Sequence, residues 1–205
     1  MIVYVESNFV LELAYQQEQN ESCEYLLKFV SDNHIPLVIP AYCLVEPLVA
    51  WNQRSARRKE IADRLSRELR ELGRSKPYGE LVLESSTITS RLVQSTEEEK
   101  TRLDAVLGGI ASVAHVIPMD FNVIDSAKDY REHLGLSPQD SVVYASVLNH
   151  LRNGSDEDKC FLNKNSKDFM IPEIQDELAS HNCRIIPSFG DGLDYLKATI
   201  ASADQ

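Results

Sequence analysis

Short apolar runs alternate with stretches of helical periodicity along this chain, and that alternation leaves few folds open. The runs Ile2-Val3-Tyr4-Val5, Ile35-Pro36-Leu37-Val38-Ile39-Pro40, His115-Val116-Ile117-Pro118, Cys160-Phe161-Leu162 and Arg184-Ile185-Ile186 are short and apolar, the first ended by Glu6-Ser7-Asn8 and the second bounded by prolines, as strands are. Between them lie amphipathic segments. Phe9, Val10, Leu13 and Ala14 recur at helical spacing, as do Leu26, Leu27, Phe29 and Val30. A strand, a helical crossover and another strand pair most readily in parallel. The expected fold is therefore α/β, in three layers, with a central and mainly parallel sheet flanked by helices.

The remaining helices follow from caps and breaks. Residues 41 to about 73 read as a long helix or two, with Pro47 bending it or sitting in its first turn. Lys76-Pro77-Tyr78-Gly79 is a break, and helices are expected at about 79–94 and 97–114, the second opened by Ser95-Thr96. A helix over Phe121–Leu134 stops at Gly135, and Ser137-Pro138-Gln139-Asp140 opens another that runs to about Arg152. Residues 170–181 and 190–201 complete the set. The 205 residues suffice for one domain, 1–205, in which 53–115 form a helical insertion on the α/β body.

Glu6 interrupts the apolar N-terminus and no basic residue precedes it, which is a strand pattern rather than a leader peptide. No apolar run reaches membrane-spanning length, so the expected location is cytoplasmic, without a membrane partner. Cys23, Cys43, Cys160 and Cys183 form no C-x-x-C pair and read as reduced, buried thiols. The histidines show no ligand or nucleophile spacing, and His150 is expected to interact with the C-terminal end of its helix.

The formal charge of −11 is unevenly placed, because residues 54–76 carry nine Lys/Arg against four Asp/Glu. On a helix, Ile61, Leu65, Leu69 and Leu72 share one face, and Arg57, Arg64, Arg67, Arg70 and Arg74 lie mostly opposite. An amphipathic helix with a solvated basic side accounts for this pattern. So does a grip on RNA phosphates by Arg57, Arg64, Arg67 and Arg74, or a protein interface.

In a parallel α/β sheet, ligands bind beyond the C-terminal strand ends. Glu6 follows the first strand, Glu46 lies early in the helix after the second, Asp140 is in the first turn of a helix, and Asp168 follows the fourth strand by a short loop. These carboxylates from distant stretches are expected to meet. Close like charges raise one another's pKa, and Mg²⁺ or Mn²⁺ relieves that repulsion because hard cations take oxygen ligands. Such an ion also activates water and stabilises charge on a phosphate under attack.

The same stretches resemble the motifs of PIN domains. VYVESNFVLELA resembles the opening strand, acid, hydroxyl residue, Asn and apolar helix, and VIPAYCLVEPLVAW the strand leading to a helix with its Glu. LSPQDSVVYASVLNHL resembles the helix opened by Asp, FLNKNSKDF the turn with Asn and Asp-Phe, and IIPSFGDGLDYL the closing strand and helix. The resemblance implies a PIN-like fold and a metal-dependent nuclease, most often an endoribonuclease, with Glu6, Glu46, Asp140 and Asp168 as the catalytic set. It assigns metal to Glu6, Asp140 and Asp168, and supporting roles to Ser7, Asn8 and Asn165. Asn8 orients the first acid, and Asn165 supports the site or replaces an acid. It also implies an RNA substrate and, in the bacterial toxin branch, an antitoxin partner and homodimers. Glu6 stands where the family usually has Asp. That departure favours the competing expectation, a weak or inactive PIN-like domain that binds RNA or protein. A phosphoacceptor signalling domain would use Asp120, but no Lys follows the last strand directly.

Overall fold

A computed structural model describes residues 1–203 of the chain; the last two residues of the expected domain lie outside the described residues. Strands β1 (Ile2–Val5), β2 (Leu37–Pro40), β3 (His115–Ile117), β4 (Lys159–Leu162) and β5 (Cys183–Ile186) form one sheet in the order β3-β2-β1-β4-β5. Every pairing is parallel, with Val3 opposite Leu37 on one side and Cys160 on the other. All residues of β1, β2 and β4 are buried. These strands are therefore covered on both faces, which is why they read as continuous apolar runs rather than as alternating ones.

The helices are α1 (Ser7–Tyr15), α2 (Asn20–Asp32), α3 (Tyr42–Leu72), α4 (Gly79–Val113), α5 (Phe121–Leu134), α6 (Pro138–Arg152), α7 (Ser166–Phe169), α8 (Pro172–Ala179) and α9 (Phe189–Ala203). α5 packs on α6, α2 on α9, and α4 on both α1 and α3. The core joins Tyr4, Val5, Phe9, Ile39, Leu148, Phe161, Phe169 and Phe189. α9 lies against β4 so closely that a Cβ on Gly192 would stand 2.6 Å from a methyl of Leu162. Among the described residues no helix is long and apolar enough to cross a membrane.

Capping explains most boundaries. Asp120 accepts from the Val123 N–H at 2.9 Å and opens α5, which Gly135 ends at φ 68°. Asp120 thus serves as a helix cap, and it follows β3, an edge strand, rather than a central one. The region expected to hold two helices after the 76–78 turn is instead the continuous α4. The hydroxyls of Ser95 and Thr96 do not open a helix; they turn back to the carbonyls of Leu92 (2.9 Å) and Val93 (2.6 Å). α3 is likewise continuous through Pro47, whose ring is buried. α3 and α4 run antiparallel, tied by Trp51 Nε1–H to the Thr96 carbonyl (3.0 Å) and Arg58 to Ser95 (2.9 Å).

Three readings need correction. Ile61 and Leu65 do not lie in a buried stripe, being 48% and 37% exposed, because α4 covers the side of α3 that carries Ala62. His150 does not cap its helix; its Nδ1 meets the Tyr4 hydroxyl at 2.8 Å. The segment 170–181 starts later, at Pro172, and is preceded by the separate turn of α7. The four cysteines are buried and free, as expected.

Candidate metal centre

The chain passes from β1 outward through β2 to β3 on one side of the sheet, then returns to build β4 and β5 on the other. The crevice at such a reversal is where α/β sheets bind ligands. Glu6 leaves β1 there. It is 6% exposed and also caps α1, accepting from the Asn8 N–H at 2.9 Å and from the Lys164 N–H at 3.3 Å. Burial pushes its pKa up to about 7; the Asn8 and Lys164 hydrogen bonds oppose that rise, and the nearby Glu46 carboxylate adds to it.

Glu46 projects from the second turn of α3. The Ser7 hydroxyl donates to its Oε2. Burial raises the Glu46 pKa, the Ser7 bond offsets part of this, and Asp140 raises it further. Glu46 thus stands near enough to Glu6 to raise its pKa, and near enough to Asp140 to be raised by it.

Asp140 is placed by its own cap. Its N–H donates to the Ser137 Oγ at 3.1 Å, an N-cap, while the Ser137 hydroxyl donates to its Oδ2 at 2.5 Å. The Asn165 amide nitrogen bridges Asp140 Oδ1 (3.2 Å) and Asp168 Oδ2 (2.7 Å). Asn165 is held in turn, its N–H donating to Asn163 Oδ1 at 2.7 Å. Phe169 anchors the turn from the other end, 1% exposed and edge-on to Phe161 at 5.7 Å and Tyr144 at 6.3 Å. The expected acids and the supporting Ser7, Asn8 and Asn165 therefore fall in neighbouring hydrogen-bonded groups, Asp140 and Asp168 bridged by Asn165, Glu46 held by Ser7 and Glu6 by the Asn8 and Lys164 N–H groups.

The sequence reading missed Glu12 and Lys164. Glu12 is 1% exposed, pairs with Lys164 Nζ and accepts from the Gln19 N–H at 2.8 Å. Lys164 also reaches Glu18 at 3.1 Å. The lysine thus turns away from the acids and clamps the β4–α7 turn to α1, leaving its backbone N–H for Glu6. The available signal was a Glu between Leu11 and Leu13 inside an apolar helix, a placement that is costly without a partner.

The basic residues separate. Arg57 lines a groove that also contains Asn8, Arg54 and Arg58. Arg64 and Arg67 line another hollow with Ile61 and Leu65, and Arg74 pairs with Glu71 at 3.0 Å. Of the expected set, Arg57 shares a groove with Asn8, which holds Glu6.

Among the described residues no Lys, Arg or His forms an ion pair with Glu6, Glu46, Asp140 or Asp168. Also among the described residues, no three or more Asp, Glu, His or Cys side chains are already gathered as an ion would require. The Asn165 nitrogen stands between two of the acids instead. The donor chemistry still fits a hard divalent cation: the set is all oxygen once the amide turns over, its first acid is buried without a counter-charge, and the supports are neutral.

A PIN-domain family profile matches residues 3–169. No curated protein matches. Among solved structures, a crystal structure of VapBC2 from Rickettsia felis bound to a DNA fragment from their promoter is similar at 14% identity and a TM-score of 0.47, covering 91% of this chain and 98% of that one. The family match spans the four acids' strands and turns, from β1 to the Asp-Phe pair that ends α7, and on that match the chain belongs to the PIN-domain family.

Proposed function

We propose that the protein is a divalent-metal-dependent nuclease that hydrolyses phosphodiester bonds in RNA. What supports this reading is that Glu6, Glu46, Asp140 and Asp168 lie in neighbouring groups near the sheet's reversal point, and that among the described residues no basic side chain pairs with any of them. Glu6, Asp140 and Asp168 would hold Mg²⁺ or Mn²⁺, with Glu46 beside them, and the ion would supply charge stabilisation at the scissile phosphate and a water of lowered pKa. The chain's own residues do the positioning. Ser7 fixes Glu46, the α1 N-terminus fixes Glu6, and Ser137 fixes Asp140. Asn165 keeps the Asp140 and Asp168 carboxylates a fixed distance apart, and its amide presents either an N–H or a carbonyl oxygen to them.

Glu6 in place of the usual Asp supports the second reading, a PIN domain that binds RNA without cutting it. Cleavage of mixed-sequence RNA with Mn²⁺, by the wild type and Asp140→Asn, separates the two. The nuclease reading expects Asp140→Asn to lose about 10²-fold or more in rate while keeping its circular dichroism spectrum. Equal activity of the two purified proteins removes Asp140 from the chemistry, and an inert wild type favours the binding module.

A further inference from the structure

The groove between α1 and α3 begins at the carboxylate network and leads away from it. Asn8 and Tyr15 on α1 stand two turns apart on one helical face, as do Ala50, Arg54 and Arg58 on α3, with Arg57 beside them; all of these line the groove. Glu46 precedes Ala50 by one turn on the same face of α3. The groove therefore starts beside Asn8 and Glu46 and reaches arginines about 12 to 18 Å further along the helix. It encloses about 450 Å³, and its lining carries three arginines and no carboxylate. In a chain of net charge −11, that is a local reversal of sign directly beside the acids.

These arginines are braced. Arg54 lies over the Tyr15 ring at 4.2 Å and reaches Glu99 Oε1 at 3.4 Å; Arg58 reaches the same oxygen at 3.0 Å and Ser95 at 2.9 Å. Glu99 is buried, so one carboxylate from α4 orients two guanidinium groups and cancels only one of their charges. Each guanidinium has five N–H donors, so most remain for a ligand. Arg57 is exposed and forms no ion pair among the described residues. Positioned forks beside an aromatic ring suit a sugar–phosphate backbone.

We infer that the α1–α3 groove binds the backbone of a single-stranded nucleic acid on one side of the cleaved phosphate, with Arg54, Arg57 and Arg58 contacting successive phosphates. This rests on the nuclease reading for the direction of the strand relative to the acids. The α3–α4 pair thereby acquires a function in substrate binding: α4 contributes Glu99 and Ser95, which hold the arginines of α3 in place.

The test is fluorescence anisotropy of end-labelled single-stranded RNA and of DNA of the same sequence. The full chain is used in EDTA, so that no cleavage occurs, between about 50 and 200 mM salt. The variants are Arg57→Gln, Arg54→Gln/Arg57→Gln, and Lys197→Ala on α9 as the control. The groove predicts affinity reduced roughly tenfold per arginine and a log–log salt slope shallower by about 0.7 per lost phosphate contact, with Lys197→Ala unchanged. RNA binding alone identifies RNA as the ligand, and equal binding of both strands identifies the shared backbone. A wild type that binds neither strand overturns the inference and leaves the groove to an acidic protein segment. Arginine variants that keep the wild-type slope also overturn it. Cleavage with Mn²⁺ is scored separately: strand binding that depends on the arginines without cleavage sinks the nuclease reading and not the groove, and cleavage with arginine-independent binding does the reverse.

Discussion

Replacing Glu6 by Gln should stabilise the metal-free protein at alkaline pH and destabilise it at acid pH. The carboxyl is buried, and its pKa rises from 4.5 to about 7 on folding. The folded state thus holds the proton more tightly than the unfolded chain. Its stabilising contribution is complete below the unfolded value of 4.5 and is lost as pH climbs through 7. Each tenfold change in proton affinity is worth about 1.36 kcal/mol, so the ionised carboxylate costs the folded state about 3 kcal/mol well above pH 7. The amide carries no such charge, but it has a single acceptor oxygen for two backbone donors, Asn8 N–H and Lys164 N–H, a loss of about 1 kcal/mol. Net, Glu6→Gln should be about 2 kcal/mol more stable near pH ~8.5 and about 1 kcal/mol less stable near pH ~4.5. Urea unfolding in EDTA at the two pH values reads both numbers. Saturating Mn²⁺ should reverse the alkaline order, since a ligand at a hundred times its Kd adds about 2.7 kcal/mol to the protein that binds it. A stability gap that stays constant between the two pH values would refute the argument, because it would mean the Glu6 carboxylate is neither desolvated nor short of a counter-charge.

Other perturbations have defined outcomes. Glu12→Gln removes the buried partner of Lys164; with the lysine partly exposed, the cost should be about 2 kcal/mol, and turnover should fall because the β4–α7 turn carrying Asn165 and Asp168 loosens. A Glu12→Gln protein with wild-type cleavage and wild-type urea midpoint would show that the clamp positions nothing. Gly192→Ala should lower stability by about 1 to 3 kcal/mol, since its Cβ would meet the Leu162 side chain at 2.6 and 2.8 Å; an unchanged thermal midpoint would mean that α9 shifts freely on β4.

The strands were legible because each is a short apolar run, the first stopped by Glu6 after Val5 and the second entered through Pro36 and closed by Pro40. Asp140 was legible because a Ser-Pro-x-Asp cap specifies both a helix start and a carboxylate at that start. Where local signals conflicted with tertiary packing, packing won. Ser95-Thr96 has the composition of a helix start, yet Trp51 and Arg58 of α3 engage that very turn, and α4 runs on through it. Ile61 and Leu65 obey helical periodicity, yet the partner helix lies on another side of α3. The pair of buried Glu12 and half-buried Lys164 joins residues 152 positions apart, and neither residue's local sequence points to the other. The same holds for Arg54 and Arg58, whose shared carboxylate comes from a helix that begins beyond the 76–78 turn.

The strand order has a consequence for how the chain acquires its shape. β1 is made first but lies in the middle of the sheet, and its second neighbour, β4, starts at Lys159. The α3–α4 pair is local in sequence and needs no distant partner, so it can assemble while the chain is still being made. The central strand must wait, with one apolar edge unpaired, until most of the polypeptide has emerged. Closing so long a loop for parallel pairing is slow.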